Sequence, residues 1–228
     1  MFQKDISKVI DIIESKSTLV FDFDGVLADS VSIKTWAFAE LYQEYGDEVT
    51  DKVVEYHLNN GGMSRFNKFK YYHSILLDKP ITQAIMDQLN IKFSNLVTAA
   101  IIGSQEIPGV TKFLEYYCNV DRVICINSAT PIGEMREIVT KRGMDHFFNG
   151  VYGSPKSKVD NLNDIFSIYN TTPEDTVFFG DSLADFEAAE IVRCNFVGIG
   201  ESFKSILGSI SPQPDKKYGF LTDFKNTI

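Results

Sequence analysis

The hydrophobic residues near the start of the chain follow two spacings, one helical and one extended. Apolar residues three or four apart between residues 2 and 15 predict a short amphipathic helix. The run Thr18–Phe21 predicts a first strand. From about residue 31 to 105 the helical spacing returns. Breaks in it occur at Gly46, residues 59–62 and residues 78–80. We therefore expect an all-helical unit of about four helices in this stretch.

The pattern changes after Pro108, where apolar runs of strand length alternate with helical spacings. The predicted strands cover residues 120–126, 147–152, 177–179 and 196–197. The predicted helices between them cover residues 132–142, 159–169 and 184–192. This alternation favours an α/β fold, with a parallel sheet covered by helices on both faces. Residues 209–214 are predicted to form a loop, and residues 215–228 show no pattern.

The segment DFDGVLADS, residues 22–30, directly follows the first predicted strand. Asp22 and Asp24 are two apart on an extended chain, so both carboxylates can address one reacting group. Gly25 allows the backbone to turn and bring its N–H groups close to an anion. A strand that ends in an acidic turn is the simpler explanation. The alternative is metal-assisted chemistry on a phosphoryl group, with one Asp as nucleophile and the other as acid/base.

Three further polar segments follow predicted strands, where open α/β sheets bind ligands. NSATP, residues 127–131, offers hydroxyls and N–H groups at a helix start, although a plain N-cap explains it equally. GSPKSK, residues 153–158, can direct a lysine to the same point, or it can be a solvated helix start. GDSLAD, residues 180–185, carries carboxylates suited to Mg²⁺, or to an acidic helix N-terminus. The joint occurrence of the four segments favours a shared site.

With these four segments, the chain resembles the haloacid dehalogenase superfamily over residues 18 to 200. The resemblance implies a Rossmann-like core of residues 1–30 and 106–228, with residues 31–105 inserted as a small helical cap domain. It also implies dependence on Mg²⁺ and phosphoryl transfer through an aspartyl-phosphate.

The resemblance also assigns roles to individual residues. Asp22 would be the nucleophile and Asp24 the acid/base, and Mg²⁺ would be held by both, Asp24 through its main-chain carbonyl, together with Asp181. Asp185 would act from behind the metal ligands, ordering a bound water or a neighbouring group. The residues expected to hold or neutralise the phosphoryl oxygens are Ser128, with Thr130 as a weaker candidate, the neighbouring Asn127 and Ala129, Gly25, and Lys158. Lys156 competes with Lys158, which is preferred because it begins the following helix.

The predicted cap contains one clue to the substrate, the segment GGMSRFNKFK at residues 61–70. Arg65 is predicted to bind the substrate, whereas Lys68 and Lys70 are predicted to lie on a solvated face. Phe66 and Phe69 are predicted core residues. His57 and His73 are expected to be structural or exposed, and Trp36 to be part of the cap core.

Composition limits the possible partners. The 228 residues carry a formal net charge of −9, and no basic stripe suggests a nucleic-acid ligand. The three cysteines, Cys118, Cys125 and Cys194, show no C-x-x-C spacing and are expected to be small buried residues in a reducing compartment. No secretory signal or membrane span is recognisable, so a cytoplasmic location is predicted. Oligomeric state has no signature.

The predicted activity is Mg²⁺-dependent hydrolysis of a small phosphorylated metabolite such as a sugar phosphate. A phosphomutase of the β-phosphoglucomutase type is the main alternative. A signalling module phosphorylated on Asp is a more distant one. Asp24 disfavours the dehalogenase branch, which does not need a second carboxylate, and the phosphonoacetaldehyde hydrolase branch, which has a small residue there.

Overall fold

The computed structural model describes residues 6–207 and 218–228, and its described part contains one parallel sheet of six strands. The strands are β1 Thr18–Phe21, β2 Val123–Pro131, β3 Gly150–Ser154, β4 Thr176–Gly180, β5 Asn195–Ile199 and β6 Tyr218–Leu221. Their order across the sheet is β3-β2-β1-β4-β5-β6. The prediction of a parallel α/β sheet is thus confirmed, and β1 lies at its centre.

Ten α-helices occur in the described residues. They are α1 Ile6–Glu14, α2 Val31–Tyr42, α3 Asp47–Asn59, α4 Arg65–Tyr71, α5 Gln83–Gly103, α6 Val110–Cys118, α7 Ile132–Lys141, α8 Lys158–Ile168, α9 Leu183–Val192 and α10 Gly200–Leu207. Short 3₁₀ turns cover Gln43–Tyr45 and Asp145–Phe147, and a π turn covers Tyr72–Leu76. No described helix combines the length and the apolar character needed to cross a membrane.

The alternation of side chains along the strands builds a separate core on each face of the sheet. Leu19 and Phe21 point to the face covered by α1, α6 and α7, where Phe21 stacks on Phe179 at 4.5 Å between ring centroids. Val20 points to the opposite face, covered by α8, α9 and α10, and packs in the same cluster as Phe178. All four residues of β1 are buried, which explains its continuous apolar sequence.

Helices α2 to α5 lie between β1 and β2 in the chain, in the stretch predicted as a cap. Their aromatic side chains pack around Phe38, whose ring centroid is 4.4 Å from that of Phe93. The separation into two domains at residues 31 and 105 remains a prediction, since buried residues of this stretch and of the sheet share one core cluster. Trp36 is not part of that core: it is 51% exposed, and the prediction for it was wrong.

Several element boundaries differ from the prediction. Strand β2 begins later and continues through residues 127–131, which were predicted as a loop leading into a helix. Strand β6 and helices α6 and α10 were not predicted, and the predicted loop at residues 209–214 lies outside the described residues. Cys125 and Cys194 are buried as expected, whereas Cys118 is exposed because it lies in the last turn of α6.

Candidate active site

Strand β1 delivers Asp22 and Asp24 to the carboxyl end of the sheet. The Asp22 N–H donates to the Phe179 carbonyl at 2.8 Å, the last hydrogen bond before the chain leaves the sheet. A tight turn follows, in which Gly25 has φ of +79° and donates its N–H to the Ala28 carbonyl at 2.8 Å. A Cβ atom at Gly25 would lie 2.1 Å from Oδ2 of Asp181. Glycine is therefore required for β1 and β4 to bring their acidic groups together.

The Asp22 carboxylate is buried and fixed from two sides. Its Oδ1 accepts the Phe23 N–H at 2.7 Å, and its Oδ2 lies 2.8 Å from Nζ of Lys158. Burial raises the pKa of Asp22 to about 7, and the charges of Asp185 and Asp24 act in the same direction, while Lys158 opposes them. An oxygen nucleophile thus lies at the strand end, with a cation in contact with it.

Lys158 begins α8 and is enclosed between Asp22 and Asp185. Its burial would lower its pKa, but the two carboxylates outweigh burial and raise it, so the lysine stays charged. Asp185 also accepts hydrogen bonds from the N–H and Oγ of Ser182, completing the cap of α9. Asp185 therefore positions Lys158 and the loop after β4. Lys156, the competing lysine, is exposed and pairs with Asp164.

The carboxylates outnumber the ammonium groups at this end of the sheet. One oxygen each from Asp22, Asp181 and Asp185 lies within 4.8 Å of the others. Burial and the neighbouring Asp22 charge raise the pKa of Asp181 well above its usual range. With Asp24 there are four carboxylates against the two ammonium groups of Lys158 and Lys34, a formal excess of two negative charges. A divalent cation with oxygen ligands fits this donor set.

Asp24 is held by partners that the sequence did not predict. Ser30 donates its hydroxyl to Oδ1 at 2.6 Å, and Lys34, in the first turn of α2, forms an ion pair with Oδ2. Burial opposes the charged form, but Lys34 prevails and lowers the pKa of Asp24. The Lys34 ammonium also donates to Oγ1 of Thr130 at 2.8 Å. A basic residue in the first turn of the helix after the DFDG segment was the one available signal.

The predicted phosphate-binding segment in β2 divides its side chains between two tasks. Ala129 and Thr130 line the cavity above the carboxylates. Asn127 does not: it is fully buried, donates to the Lys158 carbonyl at 2.9 Å and accepts from Asn161 at 3.0 Å. Its predicted substrate contact is corrected to a positioning contact beneath Lys158. Ser128 is 1% exposed, and its Oγ accepts the Thr130 N–H at 3.1 Å.

Arg65 lines the same cavity, but its charge already has a protein partner. It forms a bidentate ion pair with Glu134 of α7, at 2.9 and 2.6 Å, and donates to Ser94 at 2.9 Å. The guanidinium also stacks over the Phe93 ring. The pair with Glu134 links α4 to α7, and the contact of Arg65 with the substrate remains a prediction.

The other basic residues of α4 separate into two environments. Lys70 is exposed, as predicted, whereas the prediction for Lys68 was wrong: it is 2% exposed and contacts His57. Phe69 is buried and Phe66 partly buried in the core cluster, as predicted. His57 and His73 are both buried, at 7% and 4% exposure.

Part of this group of site residues lines a cavity of about 450 Å³, whereas Lys158 and Asp185 are not among its lining residues. Asp22, Asp24 and Asp181 form part of its wall, and side chains from α2, α3 and α4 form another part. Gly62 approaches the loop after β4 so closely that a Cβ atom there would lie 2.3 Å from Oγ of Ser182. The cavity has the size of a small-molecule site.

Comparison with known proteins gives one family. The family model described as haloacid dehalogenase-like hydrolase matches residues 19–199. No match to the chain is found among curated protein sequences.

Solved structures share the fold at low identity. A β-phosphoglucomutase from Clostridium difficile is 17% identical, with a TM-score of 0.73 and 92% of each chain covered. CbbY from Rhodobacter sphaeroides, in complex with xylulose-(1,5)bisphosphate, is 14% identical, with a TM-score of 0.70 over 92% of this chain and 96% of that one. A haloacid dehalogenase-like hydrolase from Streptococcus pneumoniae is 19% identical, with a TM-score of 0.66 over 91% and 94%.

Proposed function

We propose that this chain, which belongs to the haloacid dehalogenase-like hydrolase family, is an Mg²⁺-dependent phosphatase acting on a small phosphorylated metabolite through an aspartyl-phosphate. The observation that carries the proposal is the group of Asp22, Lys158, Asp181 and Asp185 at the carboxyl ends of β1 and β4, in which all but the partly exposed Asp181 are buried. A buried carboxylate in contact with a lysine, in a cavity of metabolite size, suits attack on an electrophilic phosphorus.

Asp22 would attack phosphorus in line with the leaving oxygen, forming a P–O bond as the ester P–O bond breaks. Lys158 lies 2.8 Å from Oδ2 of Asp22 and would neutralise the negative charge that builds on the phosphoryl oxygens. Ala129 and Thr130 line the cavity, so the Ala129 N–H and the Thr130 hydroxyl are the proposed donors to those oxygens, together with Ser128. The Gly25 N–H already donates to the Ala28 carbonyl.

Asp24 would protonate the leaving oxygen and then accept a proton from the water that hydrolyses the aspartyl-phosphate. Lys34 and Ser30 fix the orientation of its carboxylate above the reacting group. The lowered pKa of Asp24 favours the carboxylate form, which is the form required to activate water in the second step. The same carboxylate would activate a substrate hydroxyl in a phosphomutase, so the product of the reaction distinguishes the two activities.

Mg²⁺ would be held by the side chains of Asp22 and Asp181 and by the main-chain carbonyl of Asp24. When bound, it would offset the repulsion between the carboxylates and the phosphate dianion. The formal excess of two negative charges among the acidic and basic groups supports this assignment.

The direct test is the change Asp22→Asn, which keeps the size of the side chain and removes the nucleophile. We expect it to abolish Mg²⁺-dependent hydrolysis of p-nitrophenyl phosphate while circular dichroism remains that of the wild type. Asp29→Asn is the matched control, because Asp29 is an exposed acid of the same loop. Retained activity in the Asp22 variant would refute the mechanism.

A second test separates the two lysines of the segment after β3. Lys158→Met should reduce kcat/KM by at least about 100-fold, because loss of one transition-state donor costs about 2.7–4 kcal/mol. Lys156→Met should leave the rate unchanged, since Lys156 is exposed and paired with Asp164. Equal effects of the two changes would contradict the role given to Lys158.

Two alternatives give different products in the same assays. A phosphomutase would convert a sugar phosphate to its isomer with little release of inorganic phosphate; this alternative is kept because one protein of similar structure is a β-phosphoglucomutase. A signalling module would keep a long-lived phosphate on Asp22 instead of turning it over. We expect release of inorganic phosphate, with an aspartyl-phosphate that decays within each catalytic cycle.

A further inference from the structure

Three basic side chains from the helices between β1 and β2 line the cavity, and two of them are neutralised by carboxylates. Lys34 is paired with Asp24, and Arg65 with Glu134. Lys68 is the third, and within the described residues no carboxylate forms an ion pair with it. Lys68 therefore lines the cavity without a carboxylate partner among the described residues.

The contacts of the Lys68 amine favour the binding of an anion. Its Nζ donates to Nδ1 of His57 at 2.8 Å and lies 5.4 Å from the centroid of the Phe38 ring. Burial lowers the pKa of Lys68 to about 7, and the charge of Lys34 adds to the effect, while Asp24 opposes it. At this pKa the amine is partly neutral near neutral pH, and an anion in contact with it would favour the charged ammonium form.

His57 adds a second donor beside the ammonium group. Burial lowers its pKa to about 3, with a further contribution from Lys68, so its ring is neutral. Nδ1 accepts the hydrogen bond from Lys68, which places the ring proton on Nε2. In the described part of the chain no protein acceptor is found for this Nε2–H, and His57 lines the cavity.

We propose that Lys68 and His57 bind a second anionic group of the substrate, in the part of the cavity lined by α3 and α4. The inference rests on the proposed function and specifies its substrate class: a small phosphate monoester that also carries a carboxylate or a second phosphate. A neutral hydroxyl could accept the same hydrogen bonds but would leave the ammonium charge uncompensated. The cavity of about 450 Å³ has room for such a molecule.

The test uses pairs of esters that differ only in the second group. 3-Phosphoglycerate and glycerol 3-phosphate differ in a carboxylate, and fructose 1,6-bisphosphate and fructose 6-phosphate differ in a phosphate. We expect the wild type to prefer the more anionic member of at least one pair, and the pair that shows the preference identifies the anion. Lys68→Met should remove that preference by raising KM about 10- to 100-fold, the effect of losing one charge-assisted hydrogen bond.

Two controls isolate the charge of Lys68. Lys70→Met makes the same charge change on the exposed side of α4, and it should leave all rates unchanged. Lys68→Gln keeps a donor to His57 without the charge, and it should lose the preference as Lys68→Met does. Hydrolysis of p-nitrophenyl phosphate, which has no second anion, should fall less than hydrolysis of the more anionic esters in both Lys68 variants. An equal loss on all substrates would show a structural role and overturn the proposal.

Binding separates this inference from the proposed function. Should the wild type hydrolyse none of the esters, calorimetric titration with 3-phosphoglycerate, glycerol 3-phosphate and the fructose pair still tests the role of Lys68. Tighter binding of the anionic member by the wild type, lost in Lys68→Met, supports the site even if the chemistry is wrong. Equal affinities within both pairs would overturn it.

Discussion

If Lys68 serves ligand binding, its burial should lower the free energy of unfolding of the ligand-free protein. Replacing Lys68 by an uncharged residue should therefore stabilise the fold. Methionine has a similar length and no charge, so Lys68→Met leaves the packing against Phe38 nearly unchanged. The pKa of Lys68 is lowered from 10.5 to about 7, mainly by burial. The unfolded chain therefore binds more protons between these two values, and the stability of the wild type rises with pH across that window.

The size of the pKa shift of Lys68 determines how much its burial lowers the free energy of unfolding. At ~1.36 kcal/mol per pKa unit, the charged lysine costs the folded state about 5 kcal/mol below pH 7. By linkage the cost is about 4 kcal/mol at pH 7.5 and about 2 kcal/mol at pH 9. Methionine cannot donate the hydrogen bond that Nδ1 of His57 accepts from Lys68. Losing this hydrogen bond lowers the free energy of unfolding of the variant by about 1–3 kcal/mol, independently of pH in this range. We therefore expect Lys68→Met to be more stable by about 1–3 kcal/mol at pH 7.5, an advantage that shrinks by about 2 kcal/mol at pH 9.

Urea denaturation at pH 7.5 and pH 9, followed by far-ultraviolet circular dichroism, measures the stability difference between the wild type and Lys68→Met at each pH. Lys70→Met is again the control, with an expected change below about 0.5 kcal/mol at either pH because Lys70 is exposed. Both values lie above the range in which His57 titrates, so the histidine does not contribute to the slope. A stability difference between wild type and Lys68→Met that is constant with pH would refute the reasoning, as would a less stable variant at pH 7.5.

Two further substitutions test the geometry of the site. Gly25→Ala places a Cβ atom 2.1 Å from Oδ2 of Asp181, so we expect at least about 100-fold lower kcat/KM and a higher Mg²⁺ requirement; Gly143→Ala, also at positive φ but in open space, should keep its activity. Glu134→Gln removes the charge that compensates the buried Arg65 guanidinium. We expect it to lower the free energy of unfolding in urea by about 3–5 kcal/mol. A loss as large in the exposed control Glu137→Gln would contradict that explanation.

The parts of the fold that were predicted correctly are those in which a local pattern determines structure. Strands β1, β4 and β5 are buried throughout, so each appears in the sequence as a short apolar run of strand length. Strand β6 was missed because it is short, and only Gly219 and Leu221 of its four residues are buried. Strand β2 was ended too early because its last residues, Asn127 to Pro131, are mostly polar; tertiary contacts with β3 hold them in the sheet.

In the candidate site, too, the predicted features follow from local sequence patterns, and the unpredicted ones depend on tertiary packing. Asp22 and Lys158 follow strands whose ends meet at one edge of the sheet, so topology alone brings them together. The partners of Lys68 and Arg65 depend on how helices pack across the cavity, which no spacing in the sequence encodes. Both residues belong to one basic helix, yet among the described residues Arg65 has a carboxylate partner and Lys68 does not. Because Glu134 pairs with one buried cation and no described carboxylate pairs with its neighbour in the same cavity, the second charge is available to an anion that the cavity binds.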